Sequence, residues 1–444
     1  MPEVPLGDAV DEVSCQVDVH VSGDRKLWLA IGIATVVGAV WRVSMLVSKW
    51  SQPLLFNDSL YYSFQARANA HGQWFRLVFT GGPGAEHPPL ASLLMTPASL
   101  LPHYVFWQRA TNTLLGIAII PLIGLLGLRV GGRRVAIVAA CIAALYPNLW
   151  MNDSLVMSES SSALLVVLIL LCAWRLQEQF DLRSAALTGA VIGLAALSRS
   201  ELVLLAPLLA FVGVRSHPIR EWARRAVLVL ATTGMVLLPW VAYNLSRFDA
   251  PVLLSTNDGI TLLGSNCDQT YSGAQMGGWL TSCLRDIVPR VGEDPSELSK
   301  RERSAALQYM RDHLSRVPVV VAARFLRAGN LYGLHDLVRM DVGDERPRWA
   351  SWGGILSWWL LTPLAMFGWW KGRRRSGWIL AVPVINAMVT TALFYGAHRL
   401  RSPMEPVVVV CAAMGMISCV DAVRSRAAAS GTPVPPEAVP RLPG

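Results

Sequence analysis

Charge is what this 444-residue sequence has least of: Asp, Glu, Lys and Arg together make up 16% of it, while 53% is hydrophobic. Soluble domains carry roughly a quarter charged residues, so an ordinary water-soluble enzyme is excluded. The net charge of +9 is not gathered into one basic domain or an aromatic-interleaved patch, which excludes nucleic-acid recognition. The acid-rich N-terminus, MPEVPLGDAVDEVSCQVDVHVSGDRK, lacks the basic n-region of a cleavable signal peptide, so the first apolar run is expected to stay as an anchor. No internal repeat is visible, which argues against most transporter and flippase architectures.

What the sequence does have is apolar runs. About ten recur, at 27–48, 105–128, 135–151, 160–177, 184–199, 201–215, 226–245, 352–370, 377–395 and 404–421. Most are long enough to cross about 30 Å of hydrocarbon as helices. The expected fold is therefore an all-α polytopic membrane protein of about 10 transmembrane helices. Lys and Arg concentrate in alternate loops, GGRR (131–134), 174–183, 215–225, KGRRR (371–375) and the tail with Arg424 and Arg426, and this bias places those loops in the cytoplasm. The expected organisation is a cytoplasmic N-terminal tail (1–26), an N-terminal catalytic module (27–245) with an outer loop at 49–104, a long outer loop (246–351), C-terminal helices (352–421) and a disordered cytoplasmic tail (422–444).

Nearly all the polar chemistry falls on the opposite, outer side. HPPLASLLMTPASLL (87–101) reads as a re-entrant or interfacial helix, and PSELSKRERSAALQYMRDHLSRV (295–317) as an amphipathic surface helix with a Ser cap. Cys267 and Cys283 lie in the long outer loop, where an oxidising compartment permits a disulfide, while Cys141, Cys172, Cys411 and Cys419 fall in apolar runs.

Asp58, in NDSLYYSFQARA, reads either as a helix cap or as a general base whose pKa is raised by partial shielding from water. Glu86 and His87 precede a stiff Pro-Pro pair and could steady a phosphate or a metal. Asp153 and Glu159 flank an outer helix start, where they could orient an acceptor or hold a divalent cation; burying such a charge among apolar residues marks a functional candidate. Arg109, Arg199, His398, Arg399 and Arg401 are cations on the outer side, against the charge bias, and together suit a pocket for an anionic phosphate.

In their order along the chain, FNDSLYYSFQARANAHG, EHPPL, NDSLVMSE, ALSRSELVLLAPL, LLPWVAYNLSRFDAPVLLSTNDG and YGAHRLRSPMEP resemble motifs of the GT-C glycosyltransferases. The likeness is to bacterial relatives of protein O-mannosyltransferases and of the lipid A aminoarabinose transferase, over residues 27–421. It implies a polyprenyl-phosphate sugar as donor and a glycan, lipid or protein acceptor, with transfer at the extracytoplasmic face of the plasma membrane. It implies Asp58 as the catalytic base, Glu86 and His87 near the donor phosphate, and Arg199, Glu201, His398, Arg399 and Arg401 around the cavity. Where some relatives carry Lys this chain has His87, so a permanent charge there is not assured. An O-antigen ligase or polymerase, which needs no first-loop Asp, or a polyprenyl-lipid transporter, is the alternative.

Overall fold

A computed structural model describes residues 25–55, 57–77, 81–372 and 377–429. The expected tail 1–26 thus lies almost wholly outside the described residues, as does the Pro-rich end of 422–444. The described part of that second tail is helical, continuing the last helix to Ala429.

The described residues begin with α1 (Arg25–Ser48), then α2 (Asp58–Ala70) and the short α3 (Leu90–Met95) of the segment that joins α1 to α4. There follow α4 (Tyr104–Leu145), α5 (Pro147–Trp150), α6 (Glu159–Gln179), α7 (Leu182–Ser198), α8 (Leu205–Leu209) and α9 (Ile219–Leu245). The long segment 246–347 folds into α10 (Asn257–Gly264), α11 (Asp268–Tyr271), α12 (Pro295–Asp312), α13 (Val317–Ala328) and α14 (Leu334–Gly343). The chain closes with α15 (Arg348–Gly372), α16 (Gly377–Leu393), α17 (His398–Arg401) and α18 (Glu405–Ala429). No strand is formed among the described residues; an isolated bridge pairs Arg76 with Pro83.

Five of the described helices are long and apolar enough to cross a bilayer, and three shorter apolar ones accompany them. The protein is an integral, polytopic membrane protein. The expected run 105–128 and most of 135–151 share α4, the second run breaking at Tyr146 before α5; α4 is not straight, because Gly132 has φ 80° and ψ −172°, a backbone that L side chains rarely adopt. There the chain doubles back, and Gly124 and Gly127 meet Ala140 and Ala136. The run 201–215 is a correction. It forms only a 3₁₀ turn (Ser200–Leu204) and the five-residue α8, too short to span.

One apolar core runs through α4, α6, α7, α8, α9, α15, α16 and α18. In α15 and α18, Gly368 and Gly415 lie so close to the facing backbone that a Cβ on either would collide with a carbonyl, the small-residue contact that lets membrane helices approach. The amphipathic helix expected at 295–317 is α12, but its cap is Asp294, whose carboxylate accepts from the Ser296 amide at 2.8 Å. A disulfide joins Cys267, which precedes α11, to Cys283 in the 3₁₀ turn Thr281–Leu284.

Candidate active site

The site is built where the start of α2 meets α17 and the start of α6. Asn57, not Asp58 or Ser59, caps α2: its side chain accepts from the Ser59 amide at 2.8 Å and its amide donates to the Gly343 carbonyl at 2.8 Å. Asp58 is therefore the first helical residue. Its carboxylate is released from capping and stands at the positive end of the helix. Arg399 Nη2 donates to Asp58 Oδ2 at 2.6 Å, and His87 Nε2 lies 3.6 Å from the same oxygen. Burial raises the Asp58 pKa, but Arg399 and His87 outweigh it and hold the carboxyl well below the usual carboxylate range. The expectation of a raised pKa is thus corrected, because the shielding that desolvates Asp58 also brings a guanidinium against it.

The segment between α2 and α3 is riveted in place by Arg247. Its guanidinium donates to the carbonyls of Phe75 and Gly84 at 2.6 and 2.9 Å and lies over the Tyr243 ring. The Thr256 amide donates to the Ala85 carbonyl at 2.8 Å, so the EHPP turn is tied to the segment just before α10. His87 stacks on Tyr62, with ring centroids 4.7 Å apart. Glu86, beside it, has no recorded ion pair among the described residues, and burial raises its pKa.

Behind Asp58 sits Glu159, the first residue of α6 and fully buried. Its Oε1 is 3.2 Å from Arg399 Nε, 3.4 Å from Arg199 Nη1 and 3.7 Å from Arg346 Nη2. Arg199, at the extended break between α7 and the 3₁₀ turn, also donates to Glu201 at 2.6 Å. Arg346 in turn pairs with Asp344 at 2.8 Å and Asp341 at 3.3 Å. Three guanidiniums therefore converge on one carboxylate oxygen, which offsets their mutual repulsion.

The remaining expected site residues are held elsewhere. Arg109 is buried against Glu345 at 2.7 Å and the carbonyls of Lys49 and Gln52. His398 is fixed between Asp341 at 2.7 Å and Asn330 at 2.6 Å. Arg401 donates to Glu405 at 2.6 Å and covers Trp358, and Glu405 accepts from Tyr146. Asp153 accepts from Arg42 at 2.7 Å and from Ser160 at 2.6 Å. These four lie off the large cavities and secure the walls.

The donor set does not suit a divalent cation. No group of three or more His, Cys, Asp or Glu side chains comes together among the described residues, and Asp153 and Glu159 are each committed to arginine. Arg346, Asp341 and Asp344 were not singled out in the sequence. The run MDVGDERPR is visibly charged, but nothing along the chain ties it to Glu159.

Two cavities meet at the Asp58–Arg399 pair. One, of about 640 Å³, is lined by Tyr61, Phe64, Glu86 and Trp279. The other, of about 810 Å³, is lined by His87, Arg199, Lys300 and Arg303 and by apolar side chains including Leu204 and Leu253. Asp58, Asn257, Thr261, Tyr395 and Arg399 line both.

No family profile matches the sequence, and no curated protein matches it. Solved structures do match. The oligosaccharyltransferase AglB of Archaeoglobus fulgidus, solved with an inhibitory peptide and a dolichol-phosphate, superposes with a TM-score of 0.53 at 15% identity, covering 92% of this chain and 52% of that one. The same enzyme solved with zinc and sulfate gives 0.53 and 15%, covering 90% and 50%. ArnT of Cupriavidus metallidurans, bound to undecaprenyl phosphate, gives 0.42 at 14% identity, covering 92% and 81%. The chain spans about half the length of the oligosaccharyltransferase it matches. At these identities the likeness is one of fold, and the fold is that of the GT-C membrane glycosyltransferases.

Proposed function

We propose that the protein is an inverting glycosyltransferase that moves a sugar from a polyprenyl-phosphate donor to a hydroxyl acceptor at the outer face of the plasma membrane. The observation that carries this reading is the Asp58–Arg399 pair at the junction of two cavities. A base and a phosphate-binding cation side by side are what a single displacement requires. The larger cavity combines Arg199 and Arg399 with an apolar wall, a combination suited to a lipid phosphate.

The acceptor oxygen attacks the anomeric carbon while its proton passes to Asp58. The bond from that carbon to the phosphate oxygen breaks, and its electron pair leaves on the polyprenyl phosphate. Arg399 and Arg199 meet the charge that develops there, the electrostatic contribution that is commonly the largest in such sites. In the resting site Asp58 is kept ionised by Arg399. When the phosphate draws on the same guanidinium, the counter-charge is shared and burial is left to make Asp58 more basic.

The test is transfer from radiolabelled polyprenyl-phosphate sugars in membranes containing the protein. Label should leave the donor with the wild type and stay on it with Asp58→Asn. Undiminished transfer by Asp58→Asn would refute the assignment and favour a ligase-like enzyme.

A further inference from the structure

The smaller cavity differs in chemistry from the larger one, and the difference says what it holds. Its wall carries four aromatic side chains, Tyr61, Phe64, Trp279 and Tyr395, interleaved with the short polar groups of Asn57, Asn257 and Thr261. Its charges are nearly balanced and mostly engaged. Asp58 is paired with Arg399, Asp336 with both Arg327 and Arg339, and Asp344 with Arg346. Two lining charges stand outside these pairs, one of each sign: Glu86, which makes no ion pair among the described residues, and Arg76, whose guanidinium donates to the Gly81 carbonyl at 3.4 Å. Arg76 is thus a single guanidinium balanced by Glu86, not a cluster of cations for a second phosphate, and an anionic acceptor would face four carboxyl groups, those of Asp58, Glu86, Asp336 and Asp344.

The far wall, Trp279–Leu284, is also built rigidly. The Leu280 amide donates to the Gly264 carbonyl at 2.9 Å, and the Trp279 indole donates to the Ile260 carbonyl at 3.3 Å. The Gly396 amide donates to Gly277 at 2.9 Å, and the Cys267–Cys283 disulfide ties the segment to the start of α11. A preformed wall of this kind suits a small, stiff ligand, because little ordering entropy is lost on binding. An extended peptide binding by strand addition would need a sheet edge, and the described residues form no sheet.

We infer that this cavity is the acceptor site and that it takes an uncharged, polyhydroxylated saccharide, with Trp279 as the stacking platform. A pyranose or furanose ring presents an apolar C–H face to the indole and equatorial hydroxyls to Asn257, Thr261 and Asn57. Its attacking hydroxyl then lies toward Asp58, at the cavity's junction with the donor side. The inference rests on the glycosyl-transfer reading and adds to it the class of acceptor.

The experiment uses the full chain in lipid nanodiscs, tritiated polyprenyl-phosphate hexoses and pentoses as donors, and three acceptor probes: neutral alkyl oligosaccharides, their phosphorylated counterparts, and Ser/Thr peptides. Label is expected on the neutral saccharide. Trp279→Ala should raise the acceptor KM about tenfold or more while moving the donor KM far less, and Trp279→Phe should recover most of the loss. Preferred transfer to a peptide or to the phosphorylated saccharide overturns the inference, as does a Trp279→Ala effect confined to the donor KM. Wild-type protein that releases the sugar to water but glycosylates no saccharide refutes the acceptor assignment alone. Wild-type protein that cleaves none of the donors refutes glycosyl transfer and the acceptor assignment with it.

Discussion

Glu159 Oε1 lies 3.2 Å from Arg399 Nε and 3.4 Å from Arg199 Nη1, so one buried oxygen of α6 aligns two guanidiniums that are two hundred residues apart in sequence. Each arginine has a second carboxylate of its own, Glu201 for Arg199 and Asp58 for Arg399, but Glu159 is the one they share. Glu159→Gln keeps the shape and removes the charge, leaving three arginines to repel one another. Breaking a buried pair in this way costs about 3–5 kcal/mol. The expected result is a lower thermal midpoint in detergent together with a raised donor KM, read by tryptophan fluorescence and by the transfer assay. An unchanged midpoint would show that the arginines are aligned by other contacts.

Asp58→Asn should reduce kcat by about 10²–10⁴, the usual contribution of a positioned general base. Donor affinity, measured by equilibrium binding of a labelled polyprenyl phosphate, should fall much less, because Arg199 and Arg399 remain.

Arg399 sets the pH response. Because it holds the Asp58 pKa below the ordinary value of about 3.9, Asp58 stays ionised and contributes no acid limb to kcat/KM above that pH. Arg399→Gln removes the dominant opposing charge and leaves desolvation, which raises the pKa, opposed by His87 alone. The acid limb of the residual activity should therefore move to higher pH. A profile that keeps its wild-type shape would separate Arg399 from the base.

The Arg42–Asp153 pair predicts a structural effect. Both side chains are almost fully buried, and Asp153 is held by Arg42 and Ser160 directly against Gly116. A Cβ at Gly116 would fall on the Asp153 carboxyl, which has no room to give. Gly116→Ala should lower stability by about 1–3 kcal/mol, the range for overpacked sites. The measurement is the thermal midpoint, and the folded fraction should retain transfer.

Hydropathy and the placement of Lys and Arg were enough to show a polytopic helical membrane protein, because a chain in hydrocarbon must satisfy its backbone within helices and the apolar runs betray each one. The run 201–215 shows the limit of that signal: it is apolar along its length but ends after α8, since its residues pack beside α9 and α16 rather than standing as a span. The order of short motifs pointed to the fold, and Asp58, Glu86, His87, Arg199, Glu201 and Arg399 do gather on the two cavities. Arg109, His398, Arg401 and Asp153 looked the same in sequence, because a buried ion pair and a substrate-binding charge obey one rule: neither tolerates a low-dielectric surrounding without a partner. Which partner each charge meets, a carboxylate from a distant helix or an open cavity, depends on contacts between residues far apart in the chain. Composition and periodicity determined the solvent and the helices; only the tertiary structure decided that Asn57 takes the cap, that Arg399 takes Asp58, and that the two cavities join at that pair.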